Sequence, residues 1–110
     1  MDETVKFTLT KVNKYGKKQT RTLILSPKGI TNSSGLSTKW EKPKELVHAL
    51  FLSKSDPKSF VIQTYDNYVF ETDSVEQVQQ VAEAFKKLKL GEILYSDALN
   101  GENEDELQTQ

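Results

Sequence analysis

The sequence predicts a mainly β domain, α+β by class, with seven short antiparallel strands in a sandwich or partly open barrel capped by one C-terminal α-helix. Through residues 5–72, short runs of alternating apolar and polar residues are separated by Gly, Pro, Asn and Asp. From Asp73 the apolar residues instead recur every three or four positions, which is the period of an amphipathic helix. The 110 residues suffice for one domain of this kind and are too few for two ordinary ones.

Seven segments carry the strand pattern, at 5–10, 19–26, 30–32, 37–41, 46–53, 59–65 and 68–72. The alternation slips at Lys11 and Val12, which predicts a bulge or a strong twist at the end of the first strand. Gly16 supplies the positive φ for the following turn, and residues 33–35 are predicted as a loop. Periodicity alone leaves segment 46–53 open between a strand and a helical turn, and its length favours a strand.

A single helix is predicted over residues 74–89. Asp73 or Ser74 can cap its first turn, and Gly91 is expected to end it. Its apolar positions fall on one stripe that would close an open corner of the barrel, namely Val75, Val78, Val81, Ala82, Phe85 and Leu88.

Charge is distributed unevenly along the chain although the net charge is only −1. All 15 Lys and Arg residues precede residue 91, whereas six acids and no base follow it. We therefore predict a flexible N-terminus at 1–4, a folded domain at 5–90, and an acidic, largely disordered tail at 91–110. A basic body with an acidic tail points to an anionic partner for the body.

The first hairpin concentrates this positive charge. Its cations are Lys11, Lys14, Lys17, Lys18 and Arg21, with no acid among them and with Tyr15 at the tip. Lysines at a turn can converge on a phosphate, and an arginine adds a planar fork of donors. The alternative is a solvated turn whose lysines protect an edge strand. Tyr15 is predicted either to enter a membrane interface or to pack on a lysine stem.

The strands, the terminal helix and above all residues 11–26 resemble the pleckstrin-homology (PH) superfamily over roughly residues 5–89. The hairpin is most similar to the PH-like part of the tail-homology region of class I myosins, and more loosely to the small PH domain of actin-capping regulators. This resemblance implies that the hairpin receives a phosphoinositide headgroup, with Lys11, Lys17, Lys18 and Arg21 at the matching positions. Two positions depart from the family pattern: Gln19 stands where a second base is usual, and Phe85 stands where the helix often carries tryptophan.

Several other functions find no support in the residues. The chain has no cysteine and one histidine, His48, so a thiolate nucleophile and a cysteine or histidine metal cluster are excluded. No nucleophile–base pair or glycine-rich phosphate loop is present, so we expect no enzyme and no cofactor. Nucleic acid is not expected as a partner, because the aromatic residues are spaced as core residues. Trp40 is either an exposed anchor or, as is commoner for a lone tryptophan, mostly buried.

We therefore predict a non-catalytic PH-like adaptor that binds anionic phospholipid through its first hairpin. It would be cytoplasmic and recruited peripherally to the membrane or the cortical cytoskeleton, without a transmembrane segment. The alternative is a protein-interaction module of the same fold. In that case a peptide or partner helix would lie in the groove between the fifth strand and the helix, as in phosphotyrosine-binding (PTB)-like domains.

Overall fold

The computed structural model describes residues 3–95, which form eight strands, one α-helix and one short 3₁₀ helix. In chain order these elements are β1 (Val5–Val12), β2 (Lys18–Ser26), β3 (Gly29–Ser34), β4 (Ser37–Pro43), the 3₁₀ helix (Lys44–Leu46), β5 (Ala49–Leu52), β6 (Ser59–Gln63), β7 (Asn67–Glu71), α1 (Val75–Leu88) and β8 (Glu92–Tyr95).

The strands form one sheet in the order β4-β3-β2-β1-β7-β6-β5-β8, and every pairing except β5 with β8 is antiparallel. β1 joins the two halves: it pairs with β2 along its whole length but with β7 only through Thr10–Val12. The strands β4 and β8 are the free edges, so the sheet is not closed. The predicted sandwich capped by one helix is confirmed, with a mixed sheet of eight strands in place of seven antiparallel ones.

Both halves of the sheet bury side chains in the same core. One half contributes Phe7, Leu9, Leu23, Leu25 and Ile30, and the other contributes Leu50, Leu52, Phe60, Ile62 and Phe70. On each strand these residues alternate, because successive side chains of a strand point to opposite faces. We call this side of the sheet the core face.

The helix closes the core as predicted, with Val78, Val81, Phe85 and Leu88 buried against the sheet. Val75 was placed on the same stripe but is 37% exposed, because it lies in the first turn beyond the edge of the contact. Ser74 caps the helix by accepting a hydrogen bond from the Gln77 amide at 3.3 Å. The Gln77 side chain donates to the Thr8 carbonyl oxygen at 3.2 Å and so ties this end of the helix to β1.

Helix α1 ends at Leu88, and the left-handed residue that terminates it is Lys89 and not the predicted Gly91. Lys89 adopts the left-handed conformation, with φ 56° and ψ 46°. The Leu90 amide then donates to the Phe85 carbonyl oxygen at 3.0 Å, which is the hydrogen bond of a Schellman motif. Because this turn buries Leu90 beside Phe85, burial of the leucine outweighs the strain of about 1 kcal/mol in a non-glycine residue.

The structure corrects or narrows three local predictions. β1 and β2 pair in continuous register from Val5↔Leu25 to Val12↔Lys18, so the apolar slip at Lys11 does not produce a bulge. The sheet has a register irregularity between Asn32 and Ser33 of β3 instead. Residues 33–35 were predicted as a loop, but β3 continues through Ser34. The strand favoured for segment 46–53 is present but shorter: β5 runs from Ala49 to Leu52, and Leu46 at the start of the segment ends the 3₁₀ helix.

β8 was not predicted as a strand. Glu92–Tyr95 pairs in parallel with Ala49–Leu52 and belongs to the segment 91–110 that the sequence assigned to the tail. Four residues are too few to show a period, and only the exposed edge of β5 gives them a partner. The remainder of the predicted tail, residues 96–110, lies outside the described residues, as do residues 1–2 of the predicted N-terminus.

The register also brings three turns to one end of the sheet. Val12 pairs with both Lys18 and Val69, so the β1–β2 turn and the start of β7 lie side by side. The β6–β7 turn, residues 64–66, therefore lies next to the hairpin, and the β3–β4 turn at residues 35–36 lies at the same end, beyond β2. We call this the turn end. No helix among residues 3–95 is both long and apolar enough to cross a bilayer.

Candidate functional site

The β1–β2 turn is held by hydrogen bonds to Asn13. Its side-chain oxygen accepts from the amides of Tyr15 and Lys17, each at 2.9 Å, and its carbonyl oxygen accepts from the Gly16 amide at 2.9 Å. Asparagine suits this position because its short side chain can replace backbone partners in a turn. Gly16 has φ 82°, as the sequence predicted. The turn thus presents Lys14, Tyr15 and Lys17 outward from a defined backbone.

Lys11 and Arg21 differ from the turn lysines because they lie on the core face. Lys11 follows Phe7 and Leu9 at a spacing of two along β1, and Arg21 precedes Leu23 at the same spacing along β2. Gln19 lies directly opposite Lys11, and Arg21 lies opposite Leu9. The two cations are therefore diagonal neighbours at the point where the apolar core gives way to the turn end.

The environment of Lys11 disfavours its charge. Partial burial, and then the positive charge of Arg21, lower the pKa of the Lys11 amine from its usual 10.5. The Lys11 Nζ also lies 5.7 Å from the ring centroid of Tyr68, within the range of a cation–π contact. Two cations on one face that repel each other form a favourable position for an anion.

Arg21 retains donors for such an anion. Its Nη1 donates to the Thr20 carbonyl oxygen at 2.8 Å, whereas its buried Nε has no hydrogen-bond partner among residues 3–95. A buried donor without a partner carries a desolvation penalty that a bound acceptor would remove. Within the described residues, neither Lys11 nor Arg21 forms an ion pair.

The remaining predicted site residues lie outside this pair. Lys18 forms an ion pair with Glu71 at 3.0 Å, so part of its charge is already neutralised. The Lys14 Nζ lies 5.3 Å from the Tyr15 ring centroid, and that ring is 83% exposed. Lys17 is exposed in the turn. The five predicted cations thus comprise two on the core face and three on the surface around them.

One cation near the aromatic residues of the site, Lys42, lies outside the hairpin and was not predicted from the sequence. The Lys42 Nζ lies 5.9 Å from the ring centroid of Tyr68, the same ring that faces Lys11. Half-buried Trp40 stacks on Tyr68 with the ring centroids 4.4 Å apart, an outcome between the two predicted for it. Trp40 and Lys42 are two residues apart on β4, and this Trp-x-Lys spacing was the available signal that they share a face.

No group of acids and histidines in residues 3–95 could hold a metal ion. His48 is exposed just before β5, and its backbone forms hydrogen bonds within the sheet. Its amide donates to the Gln63 carbonyl oxygen, and its carbonyl oxygen accepts from the Glu92 amide at 3.2 Å.

The candidate site as a whole is a set of cations arranged around the aromatic pair of Trp40 and Tyr68. Such a site can bind an anion.

Comparison with solved structures identifies the fold. The N-terminal PH domain of human ARAP2 superposes with a TM-score of 0.61 at 13% identity, covering 77% of each chain. The Slm1 PH domain in complex with inositol-4-phosphate has a TM-score of 0.61 at 18% identity, covering 76% of this chain and 93% of that one. The Spt16D–Pob3N heterodimer gives a TM-score of 0.65 at 12% identity, covering 89% of this chain and 57% of that one. The chain therefore has a PH-like fold.

No family model matches the chain. Among curated proteins, Protein kinase 3 of Dictyostelium discoideum is 33% identical over 85 residues. The match includes 77% of this chain but only 9% of the kinase, so the chain corresponds to a small part of that protein.

Proposed function

We propose that the chain is a non-catalytic PH-like adaptor that binds phosphoinositide headgroups through its basic hairpin. The observation that carries this proposal is the placement of Lys11 and Arg21 as neighbours on the core face, without an ion pair among the described residues. A phosphate between them would relieve their mutual repulsion and satisfy the unpartnered Arg21 Nε. We include in this proposal the similarity of the hairpin to the PH-like part of the class I myosin tail-homology region.

The surface lysines have a second role in this proposal. Lys14, Lys17 and Lys18 would attract the anionic membrane surface, each adding about 1 kcal/mol within a Debye length. Because Glu71 pairs with Lys18, that lysine would contribute less than the other two. The result would be recruitment to a membrane or the cell cortex, with headgroup choice set by the core-face pair.

Two of the comparisons support this assignment. The Slm1 PH domain, which has the same fold, was solved with an inositol phosphate bound. The curated relative is a kinase of which the matched segment is a small part. We propose that the segment positions such an enzyme at a membrane and takes no part in phosphoryl transfer.

Vesicle cosedimentation tests the proposal. Phosphatidylcholine vesicles would carry a phosphoinositide, and the variant Lys11→Met/Arg21→Gln would be compared with Lys28→Met/Lys54→Gln. The control removes the same charge from two exposed lysines at the opposite end of the sheet. Loss of binding in the first variant alone supports the proposal, whereas equal weakening in both would leave only a diffuse electrostatic attraction and contradict it.

A protein-interaction function remains the second candidate, and a groove favours it. The edge of β5, where a peptide was predicted to lie, is covered by β8. An open cavity of about 780 Å³ instead lies between α1 and β8, lined in part by Ala82, Phe85, Ile93 and Tyr95. A peptide or partner helix in this groove would pair with β8 or pack on α1. Headgroup titration followed by NMR would separate the candidates, because the two sites lie on different parts of the molecule.

A further inference from the structure

The two free edges of the sheet differ in how well they resist pairing with another chain. β4 carries Lys39 and Lys42, ends at Pro43 and lies beside the register irregularity of β3. Charged side chains, proline and bulges are the features that keep an edge strand from pairing with a further strand. β8 contains no lysine, no proline and no irregularity, and its single charge is Glu92 at its first position. β8 is therefore the edge that is open to a further strand.

The backbone of β8 presents alternate residues at that edge. The Glu92 amide donates to the His48 carbonyl oxygen at 3.2 Å, so Glu92 directs its backbone groups towards β5. Along a strand, the amide and carbonyl of one residue point to one side and those of the next residue point to the other side. Leu94 therefore also faces β5, whereas Ile93 and Tyr95 point their amide and carbonyl groups away from it. An added strand would form its hydrogen bonds with Ile93 and Tyr95.

The side chains of β8 are apolar on both faces of the sheet. Ile93 packs against the main core, and Leu94 packs against a second apolar cluster around Phe51 on the opposite face. Ile93 and Tyr95 line the groove between α1 and β8, and Tyr95 is 64% exposed. The largest side chain of this edge thus lies mostly in water, next to a groove that it does not fill.

A second copy of this chain fits the edge in an antiparallel register. If Leu94 lies opposite Leu94 of the second copy, then Ile93 lies opposite Tyr95 of that copy, and Tyr95 lies opposite its Ile93. In this register the outward backbone groups face each other, so each Ile93–Tyr95 pair can exchange both backbone hydrogen bonds. An aromatic residue opposite a β-branched residue also favours strand pairing. Each Tyr95 ring would cover the groove of the other copy beside Ile93.

Charge and symmetry favour this partner. Among the residues that line the groove, Glu83 and Glu92 balance Lys86 and Lys89, so two copies bring no net like charge together. Because both copies use β8, the contact is isologous and closes after two chains. Pairing of β8 with β4 would instead be open-ended, and the protected β4 edge opposes it.

We propose that two copies of the chain dimerise by antiparallel pairing of their β8 strands, with Tyr95 of each copy in the α1–β8 groove of the other. The second copy would then occupy the groove that the second candidate function assigns to a peptide or helix. One short strand and one groove per chain bury less than the roughly 1,600 Å² of a standard interface, so the dimer should be weak and concentration-dependent. The contact does not involve Lys11 or Arg21, so this inference does not depend on headgroup binding.

The absence of cysteine from the sequence permits a direct test of the register. The two copies of Leu94 would form a pair without hydrogen bonds, with Cα atoms about 4.5 Å apart, a separation that a disulfide can bridge. Leu94→Cys keeps a small apolar side chain and should cross-link under mild oxidation. Ile93→Cys, which is displaced along the strand from its own copy, and Lys39→Cys on β4 are the matched controls. Both should remain monomeric on non-reducing gels.

Sedimentation equilibrium measures the association itself. Between about 1 μM and about 1 mM, the range of weak dissociation constants, the average mass of the wild-type chain should rise towards that of a dimer. Tyr95→Pro removes an amide that points away from β5 and should lower the association constant about tenfold or more. Tyr95→Phe keeps the amide and the ring and should associate like the wild type. Both variants should keep the wild-type melting temperature and affinity for a soluble inositol trisphosphate.

Three outcomes would overturn the inference. A wild-type chain that stays monomeric over this range, with no cross-link through Leu94→Cys, would leave the β8 edge to a strand of another protein. Cross-linking of Ile93→Cys in place of Leu94→Cys would refute the register. Undiminished association of Tyr95→Pro would place the contact elsewhere. Failure of the wild type to bind trisphosphate, with the dimer and its cross-link intact, would refute the headgroup function alone and support this inference.

Discussion

Lys11 on β1 and Arg21 on β2 are diagonal neighbours on the core face of the sheet, at the point where the apolar core ends. Partial burial and then the charge of Arg21 lower the pKa of Lys11. Both effects disfavour the charged amine, and a phosphate bound beside the pair would favour it.

The first prediction concerns pH. Because the folded-state pKa of Lys11 lies below 10.5, the unfolded chain binds more protons between the two values, and this residue adds stability as the pH rises through that window. Below the window the charged amine lowers stability. Lys11→Met should remove this rise in denaturant titrations, and Lys28→Met serves as the control. Headgroup affinity should also decline as the pH approaches the lowered pKa, since the neutral amine no longer attracts phosphate.

The second prediction concerns Gln19, which lies opposite Lys11 on the core face. Gln19→Arg would place a third cation beside the pair. It would also put a base at the position where the PH family usually carries one and this sequence has Gln19. Calorimetric titration with inositol trisphosphate should show several-fold tighter binding, with slightly lower stability because like charges are closer together. An unchanged affinity would indicate that the phosphate does not lie between β1 and β2.

The third prediction concerns the exposed turn. Lys17→Glu/Lys18→Glu reverses the local charge by four units, and liposome binding should collapse. The melting temperature should change little, because surface substitutions usually alter stability by no more than about 0.5 kcal/mol. The pairing of Lys18 with Glu71 makes Lys17→Glu alone the cleaner variant. Wild-type binding should weaken with salt, since the Debye length falls from about 10 Å at 0.1 M to about 3 Å at 1 M.

Arg21→Ala then distinguishes a shaped pocket from a diffuse field. If Arg21 contributes a fork of donors to one phosphate, its loss should weaken binding more than the loss of any single turn lysine. The measurement is a set of single alanine variants in one vesicle assay. Equal effects at all five hairpin cations would argue against a pocket; these are Lys11, Lys14, Lys17, Lys18 and Arg21.

The fourth prediction concerns the core. Phe85 is fully buried between α1 and the sheet, so Phe85→Ala should lower the free energy of unfolding by about 3–5 kcal/mol. Chemical denaturation measures this change, and Glu83→Ala, on the exposed side of the same helix, is the matched control. A loss confined to a few tenths of a kilocalorie per mole would contradict the packing described for α1.

The fifth prediction concerns residues 100–110, which include four acids. Deleting them should tighten binding to anionic vesicles, because negative charge near the membrane is removed. Their composition has no burial pattern, so the unfolding free energy should be nearly unchanged. Weaker vesicle binding after deletion would mean that these residues belong to the binding surface.

The sequence by itself determined the periodic features of this protein. Alternation in the strands, the three- and four-residue spacing of the helix, the turn at Gly16 and the basic hairpin all follow from local pattern. Phe85 and its neighbours on α1 could be assigned to the core because a helix of that length shows its apolar stripe clearly.

Tertiary structure alone decided the remainder, because those features depend on partners distant in the chain. β8 forms because β5 offers an open edge. Lys89 adopts the left-handed conformation because Leu90 can then pack in the core with Phe85. Likewise, the pairing of β1 with β2 makes Lys11 and Arg21 neighbours on the core face, whereas Lys18 forms an ion pair with Glu71. The sequence places five cations in one hairpin, but only the two faces of the folded sheet separate the core-face pair, Lys11 and Arg21, from the three surface lysines.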